Sequence, residues 1–243
     1  MSSFKLLNPV AVLLGLIKSQ DWKMIRTLIA IASPDCFRDM ASSVSSCSEH
    51  KLNGITLLHA IVRENPPLDI VTSIIKLCPE MLAAKDGLGR TPLHIAAGSR
   101  ACPLLLKLIA CAYPAACDIQ DEGGRTPLHF VCDTSFVLFA NDGLPPSTPQ
   151  QQKGPKYEAV VALLSESLNA AAIEDSGEMS PLEHAIMCDA SLKTVKLLQA
   201  SARKSMQSRA RSMSTNSSGT NKRRRVSSTL DDFSNCSAID FHR

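Results

Sequence analysis

The sequence predicts an all-α solenoid of short, stacked helix pairs, and three observations predict it. One phrase recurs. Thr91-Pro92-Leu93-His94-Ile95-Ala96-Ala97 returns as Thr126-Pro127-Leu128-His129-Phe130-Val131-Cys132, and an earlier copy reads Thr56-Leu57-Leu58-His59-Ala60-Ile61-Val62. The spacing is fixed: Thr56 to Thr91 and Thr91 to Thr126 are each 35 residues. A period in this range marks a repeat array, in which each unit buries its apolar face on its neighbours. The composition suits thin layers, because 44% of residues are hydrophobic but only 4% aromatic, so Leu, Ile, Val and Ala must fill the core.

The first 52 residues lack the phrase and are expected to form a helical cap over the first repeat. Residues 9–33 read as two short helices. Pro9 opens the first, where a missing N–H costs nothing. Asp21 caps the second, whose apolar face is Trp22, Ile25, Leu28 and Ile29. The Ser-rich stretch 34–52 reads as a loop with a short helix.

The array is expected over residues 53–204, in units 53–87, 88–122, 123–178 and 179–204. Helix A of each unit falls at about 57–63, 92–98 and 127–136, and helix B at about 68–78 and 102–112. The third unit is longer, since Asp121 to its counterpart Asp175 is 54 residues. The extra material, 140–155, holds Pro145, Pro146, Pro149, Pro155 and three consecutive Gln, a composition for an extended, solvated loop. Helix B then resumes near Lys156 with Val160, Leu163 and Leu164. A degraded fourth phrase, Ser180-Pro181-Leu182-Glu183-His184-Ala185-Ile186, opens a closing unit that ends on Val195, Leu197 and Leu198. Residues 205–243 are rich in Ser, Thr and basic side chains and are expected to be a disordered tail.

Each residue of the phrase has a structural task. The threonine caps the helix and the proline sits at its first position. The leucine faces the core, and the two alanines let neighbouring helices approach. Gly89 and Gly124 supply a positive φ for the preceding turn, and Asp86 and Asp121 bond backbone groups of the same turn. His59, His94 and His129 recur once per unit, too far apart to share a metal. They are expected to tie adjacent turns together through backbone hydrogen bonds.

The phrase resembles the T-P-L-H-x-A-A signature of ankyrin repeats, in full at 91–97 and with end changes at 126–132. At 56–62, Leu57 replaces the proline. The fourth copy departs most: Glu183 replaces the histidine, and Gly177 stands one residue too far from Ser180. This resemblance covers roughly residues 53–200. It implies L-shaped units of two antiparallel helices with projecting turns, and partner binding on the concave side formed by turn tips and inner helices. The implied tips are 50–53, 85–90, 120–125 and 174–178. The inner-helix positions include Arg63, Glu64, Ser99, Arg100, Asp133 and Thr134. The partner contacts expected on this basis are Asp86, Arg90, Arg100, Asp121, Glu122, Arg125 and Asp133, although Arg90 and Arg125 beside their aspartates also suit an ordinary charged turn.

Charge divides the chain. Residues 201–243 hold nine Lys and Arg against three Asp, a net of +6, so the whole-chain value of +3 leaves residues 1–200 at −3. Lys222-Arg223-Arg224-Arg225 has the form of a nuclear import signal or a nucleic-acid patch. Import is favoured, because no aromatic residue interleaves with the cluster for base stacking. Ser227 follows two arginines as basophilic kinases prefer, and Ser214 is a weaker candidate. Phosphate at Ser227 would mask the basic cluster.

The nine cysteines contain no C-x-x-C pair, are odd in number and mostly fall in apolar helical patterns. They read as small buried hydrophobes in a reducing compartment, cytosol or nucleus. The apolar stretch 9–17 is separated from Ala30 and Ala32 by four charged residues, which does not suit a cleavable signal. No apolar run reaches the length of a membrane span. Nothing in the sequence has the form of a phosphate loop, a nucleophile elbow or a zinc-protease helix. No catalytic, cofactor or metal residue is expected.

Two function classes follow. The first is a monomeric, non-enzymatic scaffold or adaptor that binds a protein through its concave face. The alternative is a nuclear regulator whose tail contacts nucleic acid or chromatin while the repeats recruit a protein. The Pro-x-x-Pro spacing of Pro146 and Pro149 also suits a proline-recognising domain.

Overall fold

The computed structural model describes residues 9–43, 54–135 and 154–215. Eleven α-helices occur among them, and no strand. A cap is formed by α1 (Pro9–Lys18), α2 (Trp22–Ile31) and α3 (Pro34–Ser43). The units follow as α4 (Leu57–Arg63) with α5 (Leu68–Leu77), α6 (Pro92–Gly98) with α7 (Pro103–Ala112), α8 (Pro127–Cys132) with α9 (Tyr157–Leu164), and α10 (Pro181–Met187) with α11 (Leu192–Thr215). Short 3-10 turns at Pro79–Leu82, Pro114–Asp118 and Asn169–Ala172 lead from the B helices toward the next unit.

The first helices of the units stack in one row, α4 on α6 on α8 on α10, and the second helices in another, α5 on α7 on α9. Between the rows runs one apolar core, and the phrase supplies its fully buried centre through Leu58, Leu93 and Leu128. Burial on both sides explains why α6 carries no charged residue: all seven of its residues are buried. At roughly 25 cal/mol per Å² of apolar surface removed from water, such positions dominate the stability of each layer.

The cap extends the same stacking. Helix α1 packs on α4, the first member of the inner row, and α2 packs on α5, the first of the outer row. Its loop is also built like a repeat's. Gln20, two residues past α1, has φ +56°, and Arg100 and Asp189, two residues past α6 and α10, both have φ +55°. In each case the next residue's N–H reaches back to a carbonyl five residues earlier: Asp21 to Leu16, Ala101 to Ala96 and Ala190 to Ala185, all at 2.9–3.0 Å. This is a Schellman-type stop made without glycine. Asn65 stands at the same place past α4 with φ +49°. The phrase-less cap is therefore a helix pair of the same construction as the units that follow.

Two expected boundaries shift. Helix α8 ends at Cys132, not near 136, because the Asp133 carboxylate accepts from the Ser135 N–H at 3.1 Å and its hydroxyl at 2.5 Å. That local turn competes with helix propagation. At the other end α11 does not stop at 204. Ser205 is 1% exposed, and its hydroxyl donates to Asn169 Oδ1 at 3.0 Å, so burial carries the helix past the expected start of the tail. The insertion's last residues also differ from a solvated loop, since Gly154 and Pro155 are buried. The rest of the insertion from 140 to 153, with Pro146 and Pro149, lies outside the described residues, as do 216–243. The chain divides into two units at Ser208/Arg209, and of the second only the helical residues up to Thr215 are described.

Candidate functional site

The surface a partner could use is set by how each unit's turn is built. In the first full turn, the Asp86 N–H donates to Arg90 O and Gly89 N–H to Asp86 O, both at 2.9 Å. One Asp86 carboxylate oxygen accepts from the Leu88 and Arg90 N–H groups at 2.9 Å. The other accepts from the Arg90 guanidinium, Nε at 2.8 Å and Nη2 at 2.7 Å. Burial alone would raise this carboxyl's pKa, but the Arg90 and backbone hydrogen bonds hold it below the ordinary value. The Asp86 side chain is 2% exposed and that of Arg90 12%.

The second turn repeats the pattern more loosely. Asp121 Oδ1 accepts from Gly123 and Arg125 N–H at 2.9 and 2.8 Å, and Arg125 Nε stands 3.8 Å from its carboxylate. The Arg125 guanidinium lies 4.7 Å from the Phe130 ring centre, a cation–π arrangement. The third turn has the same bonds, with Asp175 accepting from Gly177 and Met179 N–H at 2.8 and 3.0 Å. Glu178 occupies the place of Gly89 and Gly124 and takes φ +59°. The misplacement of Gly177 thus leaves the turn intact and transfers the positive φ to a glutamate.

The histidines lock these turns to the helices. His94 Nδ1 lies 3.1 Å from the Thr91 N–H, and His94 Nε2 lies 3.1 Å from Arg125 O in the next unit. A carbonyl can only accept, so Nε2 carries the hydrogen and Nδ1 is the acceptor. His59 bridges Thr56 and Arg90 O in the same way, the latter at 2.9 Å, and His129 bridges Thr126 and Met179 O at 3.1 Å. Burial pushes His94 and His129 down to about 4 and lowers His59 as well. Glu183 makes half of this arrangement: Oε2 accepts from the Ser180 N–H at 2.6 Å, forming a Ser-x-x-Glu capping box. A side chain with no second reach suffices for a closing helix.

Of the expected contact row, Asp86 and Asp121 are thus consumed inside their turns, and Arg90 and Arg125 lie against them. Their carboxylates are 2% and 5% exposed, which corrects the picture of open tip contacts. Glu122 is exposed, with its N–H donating to Leu88 O at 3.0 Å. Leu88 itself, 49% exposed at the preceding tip, is a candidate the sequence reading missed; an apolar residue in a polar turn was the available signal. Residues 50–53 lie outside the described residues, as do Lys222, Arg223, Arg224, Arg225 and Ser227. Ser214 falls within α11.

Arg100 and Asp133 meet different surroundings. Asp133 faces His184, whose Nδ1 is 3.9 Å from Asp133 Oδ2 and whose Nε2 is 2.8 Å from Asp175 Oδ2. Arg100 Nη2 donates to Thr134 O. Beside that bond opens a cavity of about 230 Å³ between the second and third units, lined by Ala97, Arg100, Phe130, Thr134, Lys156 and Ala159 among others. It exists because α8 stops early and its neighbours are alanines. Its lining mixes apolar side chains with Arg100, Thr134 and Lys156, and can hold an apolar group that carries a carboxylate beside it.

Three thiols, those of Cys78, Cys117 and Cys132, are buried in the core. Burial pushes Cys117 up to about 12 and raises Cys78 and Cys132 as well. Among the described residues no helix is long and apolar enough to cross a membrane.

No curated protein matches the sequence. The family model described as ankyrin repeats (many copies) matches residues 75–131, from the end of α5 through the second unit into α8. That span holds the phrase at 91–97, all but the last residue of the phrase at 126–132 and the turn that joins them, and the helix pairs on either side repeat its stacking. Residues 75–131 of the chain are ankyrin repeats.

Proposed function

We propose that the array is a non-enzymatic scaffold or adaptor, acting as a monomer, and that the cavity between its second and third units receives an apolar side chain of a protein partner with an acidic group next to it. Ankyrin repeats are protein-interaction modules, which supports the general role. The observation that carries the finer reading is an open cavity whose lining joins Leu106, Phe130 and Val131 with Arg100 and Lys156. The tip residues Leu88 and Glu122 extend the contact along the turns. The non-enzymatic reading is supported by the burial of Cys78, Cys117 and Cys132 and by His59, His94 and His129, whose ring nitrogens are all engaged within the fold.

Affinity capture with four forms of the chain tests this reading. Ala159→Leu fills the cavity without changing charge. Arg100→Glu inverts its rim. A third form combines Leu88→Glu with Glu122→Lys at the tips. A protein captured by wild type and by the tip form, but lost with both cavity forms, supports the assignment. A protein lost only with the tip form moves the contact to the turns. Retention by all three variants refutes the array as the binding surface. We place the chain in the cytoplasm or nucleus, with 222–225 as the import signal and Ser227 as its phosphorylation switch. Imaging of the chain with Lys222–Arg225 replaced by Ala tests this, and unchanged distribution refutes it.

A further inference from the structure

Helix α11 carries a charge pattern that the array does not need. Its residues Leu192–Thr215 include six Lys and Arg and no Asp or Glu. Acidic side chains are absent from 190 to 230, a stretch with ten Lys and Arg. Thr194, Leu198, Ser201 and Ser205 are all buried, at spacings of four, three and four, and form the face that packs on the array. Lys196, Arg203 and Lys204 are exposed. Their separations of seven and eight place Lys196 and Arg203 opposite the packed face and Lys204 on the flank beside them. Lys193 flanks this side, with its Nζ 3.9 Å from the Tyr157 ring centre.

This arrangement has a cost and no internal return. Lys193 and Lys196, three residues apart, repel by a few tenths of a kcal/mol, and Lys193 in the first turn opposes the helix dipole. Lys107, by contrast, pairs with Glu166 at 2.7 Å and Arg26 with Asp69 at 2.6 Å. Lys196, Arg203 and Lys204 form no ion pair among the described residues. A row of unmatched cations on a rigid helix is the electrostatic footprint of a polyanion.

We infer that the exposed side of α11, centred on Lys196, Arg203 and Lys204, is a binding surface for the phosphate backbone of nucleic acid. Two features favour this over the other polyanions. The exposed apolar residues of this side, Leu192 and Met206, stand fourteen residues apart with Gln199 between them, so no continuous apolar strip is available for insertion into a bilayer. The cations are also spread along the helix: Lys196 and Lys204 are separated by about 12 Å of rise, a distance matched by a regular row of phosphates and not by a single acidic side chain. Helix α11 itself carries no aromatic residue, so the contact is one of charge, without base stacking from the helix, and hence indifferent to sequence. This surface is distinct from the basic cluster at 222–225 and from the array's cavity.

The test uses the full chain and a fluorescein-labelled 24-base-pair DNA duplex, with binding followed by anisotropy at several salt concentrations. The triple variant K196E/R203E/K204E is compared with wild type and with K222A/R223A/R224A/R225A. Wild type is expected to bind with a steep salt dependence. The triple variant is expected to bind at least tenfold more weakly, with the log–log salt slope reduced by about 3, roughly 0.9 per lost phosphate contact. The tail variant should retain the portion of the slope that the helix supplies. Circular dichroism melts establish that the triple variant is folded. Should it not be, K196Q/R203Q/K204Q takes its place. Equal binding by triple variant and wild type overturns the inference. So does failure of wild type to bind duplex, and so does binding to phosphatidylserine vesicles or polyglutamate in its place.

Discussion

His94 Nε2 donates to the carbonyl oxygen of Arg125, thirty-one residues further along the chain, at 3.1 Å. The same imidazole accepts from the Thr91 N–H, so one side chain caps its own helix and fastens the next unit's turn. Replacing His94 with Ala leaves the Arg125 carbonyl and the Thr91 N–H without their partner in a fully buried site. A loss of about 2–4 kcal/mol of unfolding free energy is expected, measured by urea denaturation. A loss below about 1 kcal/mol would show that these bonds do not hold the units together.

The same geometry makes stability depend on pH. His94 and His129 titrate near 4 when folded, against 6.5 in the ordinary state. Below pH 6.5 the unfolded chain binds protons that the folded chain refuses, so stability falls as pH drops from 6.5 toward 4. Each imidazole contributes up to about 3 kcal/mol across that window. Urea midpoints at pH 7.5, 6.0 and 5.0 should decline in order, and His94→Gln should flatten the decline. A midpoint that is level over this range contradicts the neutral, buried imidazoles.

The turns differ in strain. Glu178 holds φ +59° where the other units use glycine, so Glu178→Gly is expected to stabilise the chain by about 0.5–1 kcal/mol. Gly124→Ala should act in the opposite sense. Its φ is +73°, and an added Cβ would stand 2.7 Å from Ser176 N in the next turn. A loss of at least about 2 kcal/mol is expected. Thermal melts of the two variants should move to opposite sides of wild type.

Helix α11 belongs to the fold as far as its buried face runs. A chain stopped after Ser208 should melt as the full chain does, because Leu198, Ser201 and Ser205 are retained. A chain stopped after Ser191 uncovers the apolar residues that Leu198 covers and should lose about 3–5 kcal/mol. Equal melting of both truncations would show that the closing helix is dispensable.

The sequence by itself determined the local chemistry of each unit. Thr-Pro at a helix start, Asp with Gly in a turn and a histidine at a 35-residue period are short-range devices, and repetition makes them legible. The histidines' backbone role and the helix pairs follow from that repetition. The tertiary structure decided what depends on neighbours distant in the chain. The sequence identifies Asp86 as charged, but stacking decides that its carboxylate is closed off by Arg90. Gln20, Arg100 and Asp189 adopt positive φ without the glycine that would announce it, because the packing of each helix pair over-determines its loop. Glu183 can replace a histidine because the described array has no further turn to reach from α10. Ser205 reads as tail by composition and is buried because Asn169 stands beside it. Period and propensity record interactions between near residues, whereas exposure, and with it the surface left for a partner, is fixed only when the layers meet.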